Sequence, residues 1–281
     1  MRKIIILLLL TVSMTVVAQN KQGKVWTPLL LDYGKGKTEI STANYRAYYA
    51  FNAEDIKDRN TYLDLGMLEV GNTISKYSSA FVAHDDSLLY EWFVKHPKAS
   101  AVPKSIEIEG RLSNYWSEYQ YSELFIENNE LTEWAVMPRN QERNCMRYTE
   151  SFPQMHWSIG KDTLTICGHK CQNATCHYRG REFEAWFAPS IPIRKGPWKF
   201  GGLPGLIMKV YDKDHLYTFE CVGLNNGKFP ITQFDEKHFP IRPRSEVHKF
   251  QVKMNENWAN LSGFIMPSRK DFYEYDPLEL E

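Results

Sequence analysis

Tyr45, Ala47, Tyr49 and Phe51 alternate with Asn44, Arg46 and Tyr48, the two-residue period of a strand with one face buried. A second run, 62–70, ends at Gly71 and Asn72. Ile106 and Ile108 alternate with glutamates, and 119–126 leads through Asn128 and Asn129 into 131–137. Further strands are predicted at 155–159, 163–167, 206–211 and 216–223, with one long strand over 174–188. Helical spacing is confined to two segments. Leu88, Leu89, Trp92 and Phe93 recur at such intervals in 87–95, with Asp86 placed as N-cap, and 246–260 is a more polar helix. The pattern predicts a mainly β (α+β) fold: an antiparallel meander sheet, open to strong curvature or a half-barrel, with one or two short helices.

The two ends depart from this pattern. Arg2 and Lys3 precede an unbroken apolar run from Ile4 to Leu10, which weakens through Val16 and Val17 to Ala18. That order is a secretory signal peptide over 1–18, cleaved after Ala18, and the run is short of the roughly 20 residues that span a bilayer. Export to the periplasm or outer membrane is therefore expected, with no transmembrane segment after cleavage. The body of the protein reads as one β domain over 25–224. Residues 225–281, richer in proline and charge, read as an extension packed on it.

Composition narrows the function classes. The 281 residues carry 34 basic and 34 acidic side chains, so nothing marks a nucleic-acid partner. Aromatics reach 14%, which suits extended chain and broad contact faces better than a helical bundle.

The densest punctuation lies between Tyr178 and Met208. Leu203, Pro204, Gly205 and Leu206 fit a type II turn, with proline at the second position and glycine supplying positive φ at the third. Gly201 and Gly202 allow a further bend, and Leu206, Ile207 and Met208 begin a buried strand. Pro204 has no N–H and no Gly-Lys-Ser/Thr follows, so an anion-binding loop fits poorly and the motif reads as a fold determinant. Arg179 and Arg181 flank Gly180, which sets two guanidiniums side by side. They need carboxylates between them, from Glu150, Glu182 or Glu184, or an anionic ligand. Arg179, Arg181, Trp186 and Trp198 are the ligand-binding candidates.

This segment resembles the GLPGLI family of exported bacterial proteins, named for the hexapeptide Gly202, Leu203, Pro204, Gly205, Leu206, Ile207. The resemblance extends through Gly168 to Ala174, Leu68 to Ser75 and the Glu150, Pro153, Trp157 stretch, and so covers about 43–222. His169 stands where the family usually has tyrosine, and Cys167 and Cys176 depart from its commoner pattern. The family has no agreed activity. What the resemblance implies is an accessory to outer-membrane uptake.

Five cysteines follow the signal: Cys145, Cys167, Cys171, Cys176 and Cys221. Export permits disulfides, and at least one is expected to draw on the group 167, 171 and 176. The competing reading is metal, with His169 and His177 interleaved among Cys167, Cys171 and Cys176, although the spacing is not that of a zinc knuckle. No G-x-S-x-G, H-E-x-x-H, C-x-x-C or dinucleotide fingerprint occurs. No cofactor is called for and no catalytic residue is assigned. The leading expectation is a non-enzymatic envelope protein that binds a ligand or partner, such as an outer-membrane transport or envelope-assembly protein. An envelope hydrolase or a thiol enzyme using Cys171 with His156 or His177 is the alternative.

Overall fold

Eleven strands form one antiparallel sheet in the computed structural model, which describes residues 37–98, 110, 116–137, 141–261 and 276–280. The first six are β1 (Thr38–Phe51), β2 (Asp64–Gly71), β3 (Ile74–Ser79), β4 (Glu123–Glu127), β5 (Glu130–Ala135) and β6 (Met146–Ser151). The other five are β7 (Ser158–Ile166), β8 (His169–Tyr178), β9 (Arg181–Ala188), β10 (Leu206–Asp212) and β11 (Thr218–Gln233). Each set is a meander. The seam between them is the pairing of the first strand with the last, from Thr38 opposite Gln233 to Phe51 opposite Phe219, which leaves β6 and β7 as the two edges. Among the described residues, three α-helices accompany the sheet: α1 (Ala80–Lys95), α2 (Glu118–Tyr121) and α3 (Arg244–Leu261).

The sheet is strongly coiled. Laid flat at about 4.8 Å per strand, the eight steps from β6 to β9 would span roughly 38 Å. Yet Arg179, in the β8–β9 turn, places Nη2 2.6 Å from Glu150 Oε2 on β6. Curling the sheet gives it an inside. Tyr49, Leu68, Leu124 and Leu131 of the first meander share one buried cluster with Phe183, Phe187, Leu206 and Phe219 of the second. Burying each such side chain contributes roughly 1.5–3 kcal/mol, so the coil is fastened mainly by apolar contact.

The β6 edge is covered. Residues 240–242 run along it, with Arg147 N–H donating to the Pro240 carbonyl at 3.1 Å and Arg242 N–H to the Arg147 carbonyl at 2.9 Å, and α3 packs beside them. Val247 and Met254 of α3 join Phe125, Trp134 and Phe239 in a second apolar cluster. Covering an edge in this way removes a row of free backbone groups that would otherwise template association.

Several boundaries differ from the pattern's. The predicted strand over 174–188 is a hairpin, because Arg179 (φ +43°) and Gly180 (φ +82°) form a two-residue turn between Tyr178 and Arg181. The runs 155–159 and 163–167 contribute to the single strand β7. β11 passes unbroken through 224 and 225, across the boundary expected between domain and extension. Asp86 lies inside α1, whose N-cap is Ser79, with Oγ accepting from Val82 N–H at 3.0 Å. Residues 119–121 are helical, and β3 and β6 were not predicted. The strand predicted around 105–109 and the signal peptide over 1–18 lie outside the described residues. Among the described residues, no helix is long and apolar enough to cross a membrane.

Candidate functional site

The loop between β9 and β10 pushes a lysine inward. Phe200 N–H donates to the Pro197 carbonyl at 3.1 Å, and in this turn Trp198 takes φ +50° while Trp198 and Phe200 bury their rings in the inner cluster. Lys199, between them, is only 1% exposed. Its Nζ lies 3.1 Å from Glu133 Oε2 and 2.9 Å from Glu279 Oε2, and donates to the Tyr148 hydroxyl at 2.9 Å. A buried ammonium with three partners is tolerated, whereas removing one partner from such a pair typically costs about 3–5 kcal/mol.

The partners come from separate elements. Glu133 of β5 accepts from Tyr148 Oη (2.8 Å), Ser122 Oγ (3.0 Å) and Gln251 Nε2 (2.6 Å). Arg244, His248, Gln251 and Asn255 fall at helical intervals on α3, a polar stripe beside its apolar one. Arg244 Nη2 is 3.0 Å from Glu279 Oε2, His248 Nε2 is 3.4 Å from the same oxygen, and Asn255 donates to Glu118 at 2.6 Å. Arg179 grips Glu150 through both terminal nitrogens, at 2.6 and 3.4 Å, and also pairs with Glu279 Oε1, which accepts from Tyr178 Oη at 3.2 Å. Lys199, Arg179 and Arg244 thus converge on one carboxylate, that of Glu279 near the end of the chain.

These groups hold fixed charge. Burial opposes the Lys199 ammonium, but Glu279, Tyr148 and Glu133 raise its pKa well above the ordinary lysine value. Burial likewise opposes ionisation of Glu133 and Glu279, and in both Lys199 is the foremost charge holding the carboxyl below the usual range. Burial, then Lys199, push His248 down to about 4, so the ring is neutral at neutral pH. Burial drives the Tyr148 hydroxyl well above its ordinary value. None of these groups is poised to exchange a proton near neutrality. The cluster holds its buried charges in fixed protonation states.

Of the candidate ligand residues, Arg179 and Arg181 reach this region, Trp198 lies against it with its ring centroid 4.8 Å from Lys199 Nζ, and Trp186 does not enter it. Arg181 turns away from Arg179 to Asp212 (3.6 Å) and Asp276 (2.6 Å). Glu150 is the partner the sequence named for Arg179. Glu182 is instead 2.8 Å from His177, on an exposed face. Trp198 is core, and Trp186, paired in register with Asn173 and Lys209, is half-buried on β9. Lys199, Glu133, Arg244, His248 and Glu279 were missed. The helical spacing of 244, 248, 251 and 255 was the available signal for part of the set.

The hexapeptide also departs from its expected geometry. Gly205 does not have positive φ; Gly202 does, at +91°. The bond from Gly205 N–H to the Leu203 carbonyl, 2.9 Å, closes a three-residue turn about Pro204 in place of the type II turn. A Cβ on Gly205 would lie 2.3 Å from the Ala188 carbonyl oxygen, so glycine is required there for close backbone approach.

The expected disulfide is not formed: Cys145, Cys167, Cys171, Cys176 and Cys221 are all free thiols. Cys145 lies in the second cluster, away from the others. Cys167 (φ +47°) and Gly168 (φ +77°) make the β7–β8 turn, from which Cys167 Sγ donates to the Cys221 carbonyl at 3.0 Å. Burial raises Cys171 to about 11 and Cys176 to about 12. His169 contacts Ser190 and His177 contacts Glu182, so the Cys/His cluster does not converge. Among the described residues, no group of three or more His, Cys, Asp or Glu side chains is placed to hold a metal ion.

Comparison with known proteins adds a partial match. Residues 176–209 match a family described as "Protein of unknown function (Porph_ging)", a stretch that includes Arg179, Arg181, Lys199 and the hexapeptide. The match does not carry the GLPGLI name. No curated protein matches the chain. Among solved structures, the chain is similar to PNGF-II in a C2 crystal form, with 12% identity and a TM-score of 0.45 over 76% of this chain and 33% of that one. The P21 form gives 13% identity and a TM-score of 0.45, over 77% and 34%. The chain thus spans about a third of the length of those structures.

Proposed function

We propose that this protein is a non-enzymatic binding protein of the cell envelope, akin to the GLPGLI family. On this reading it is exported by residues 1–18, is an accessory to outer-membrane uptake or envelope assembly, and holds its partner through a carboxylate. One observation carries the reading: Lys199, Arg179 and Arg244, from three separate elements, meet on a single buried carboxylate oxygen pair. Charge-assisted bonds of this kind, with an arginine in a bidentate grip beside them, are the strong and geometrically selective ones. The fixed protonation states favour recognition over proton transfer, and Cys171, raised to about 11 by burial, is a poor nucleophile for the thiol-enzyme alternative.

The test is site-specific photo-crosslinking in the envelope from a benzophenone residue in place of exposed Glu182, next to Arg181. A discrete adduct with another envelope protein is expected, and its yield should fall at least fivefold in Arg244→Ala. An adduct indifferent to Arg244→Ala, or none from a protein present in the envelope fraction, defeats the reading.

A further inference from the structure

The two edges of the sheet differ. Residues 240–242 and α3 shield β6, whereas no bridge or backbone hydrogen bond reaches the outer side of β7 among the described residues, and Lys161 to Thr165 are all exposed. A row of free backbone groups templates association unless it is blunted. Half of this edge is blunted. The ladder with β8 slips between Ile159 and Thr163, and side chains engage the bulge: Asn173 Oδ1 accepts from Asp162 N–H at 3.1 Å, and Gln172 Nε2 donates to the Gly160 carbonyl at 2.7 Å. Beyond Asp162 the run Thr163, Leu164, Thr165, Ile166 is regularly paired, uncharged and rich in β-branched residues.

The turn that follows decides which backbone groups this run offers. Cys167 and Gly168 both have positive φ and make a two-residue turn, so Ile166 and His169 face each other as a hydrogen-bonded pair. Alternation along an antiparallel ladder makes Leu164 and Cys171 the next such pair. The N–H and C=O groups of Thr163 and Thr165 therefore point outward, away from β8. Side chains follow the pleat. Leu164 shares a face with Ile166 and Cys171, both buried in the inner apolar cluster, yet it is itself 43% exposed. The cluster thus runs out to the rim of the sheet and lies open at Leu164.

We infer that this edge pairs with the same edge of a second copy of the chain, antiparallel, about a two-fold axis at Leu164. Thr163 of each copy then stands opposite Thr165 of the other, and their outward groups make four hydrogen bonds. Between them Leu164 meets its twin in a non-hydrogen-bonded pair, where side chains approach most closely, and the open end of each apolar cluster is closed by the other. The run Thr-Leu-Thr reads alike in both directions, as a contact of one patch with itself requires. An axis between two residues would set outward backbone against inward, and would turn the two leucines to opposite faces. An axis at Thr163 or Thr165 would run the ladder into the bulge or the turn. The contact is short, so the dimer is weak and depends on concentration.

Disulfide trapping on the full chain tests the register, in a Cys167→Ser background that removes the exposed thiol. Leu164→Cys sets two thiols across the axis with Cα atoms about 4.5 Å apart, a distance a disulfide spans. Under mild oxidation it should form covalent dimer at least tenfold faster than Thr163→Cys or Thr165→Cys alone, while an equimolar mixture of those two should crosslink to each other. Leu164→Lys opposes two ammonium groups at an exposed position, and should sediment as a monomer at concentrations where the parent dimerises. Far-UV circular dichroism confirms that each variant is folded; should one fail to fold, the other decides. Trapping that is absent, or equal at the three positions, overturns the inference, as does a dimer that Leu164→Lys leaves intact. A parent that stays monomeric at every concentration and traps nothing leaves the edge to a strand of another protein.

Discussion

Cys167 and Arg179 occupy the same place in two successive hairpins, the first residue of a two-residue turn whose second is glycine, and both have positive φ. Such turns match the twist of the strands they join, and they carry a side chain clear of both ladders. Arg179 is thereby free to swing to β6. Cys167 is held at the surface, where hydrogen bonding from the Cys221 thiol lowers its pKa to about 7 against the effect of burial. Burial puts Cys145 and Cys176 at about 12 and Cys171 at about 11. Limiting iodoacetamide at pH 7.5 should therefore label Cys167 at least tenfold faster than those three, read by peptide mapping. Cys221→Ala removes the stabilising donor and should slow that labelling severalfold at pH 7. Equal labelling of all the cysteines, or labelling led by Cys171, would show that the environment has been misjudged. The cysteine cluster was visible in the sequence, but its meaning was not, because C-x3-C-x4-C spacing says nothing about which residues a turn ejects.

Among elements, the strands that alternate apolar and polar residues were legible, and those that bury charge were not. β3 reads as a polar stretch because Lys76 is buried on Glu123, at 2.9 Å, where apolar residues would ordinarily mark a core face. The hairpin at Arg179 and Gly180 hid inside a continuous run, since a two-residue turn preserves the alternation on either side. The hexapeptide was legible as structural punctuation, but the demand on each glycine was misread. Gly202 needs its φ of +91°, and a Cβ there would meet only an ordinary contact with Trp157 at 3.9 Å, whereas Gly205 needs the absence of a Cβ against backbone at 2.3 Å. Gly202→Ala should cost about 1–2 kcal/mol of conformational strain. Gly205→Ala should cost about 2–3 kcal/mol, because β10 and the end of β9 must part. At about 2–4 °C per kcal/mol for a chain of this size, thermal melts should separate the two, with Gly205→Ala the lower by several degrees. The reverse order would restore positive φ as the controlling demand at Gly205.

For the molecule as a whole, the coil decides what meets what, and no local pattern encodes it. Glu150 and Arg179 are partners only because β6 curls round toward β8 and β9. Glu279 joins them because the extension returns to the same place. That closure buries ionisable groups of opposite tendency, and the pH dependence of stability should show both. Burial raises Asp64 of β2 to about 7 against hydrogen bonds from Ser79, the Leu65 backbone and Gln120, so the folded state holds a proton there that the unfolded chain releases near 3.9. Its contribution is full below about pH 4 and is lost as pH rises toward 7. His248, facing Lys199, Glu133, Glu279, Arg244 and Tyr148, is lowered to about 4. Its contribution is present above about pH 6.5 and is lost as pH falls toward 4. Urea unfolding between pH 4 and 8 should therefore give two variants with opposed trends. Relative to the parent, Asp64→Asn should gain stability as pH rises from 4 to 7, by up to about 4 kcal/mol, the equivalent of three pKa units. His248→Gln should gain relative to the parent as pH falls from 6.5 to 4, by up to about 3 kcal/mol. Trends of the same sign in both variants would mean that the buried charge is arranged otherwise than described, and a flat Asp64→Asn difference would place that carboxyl in water.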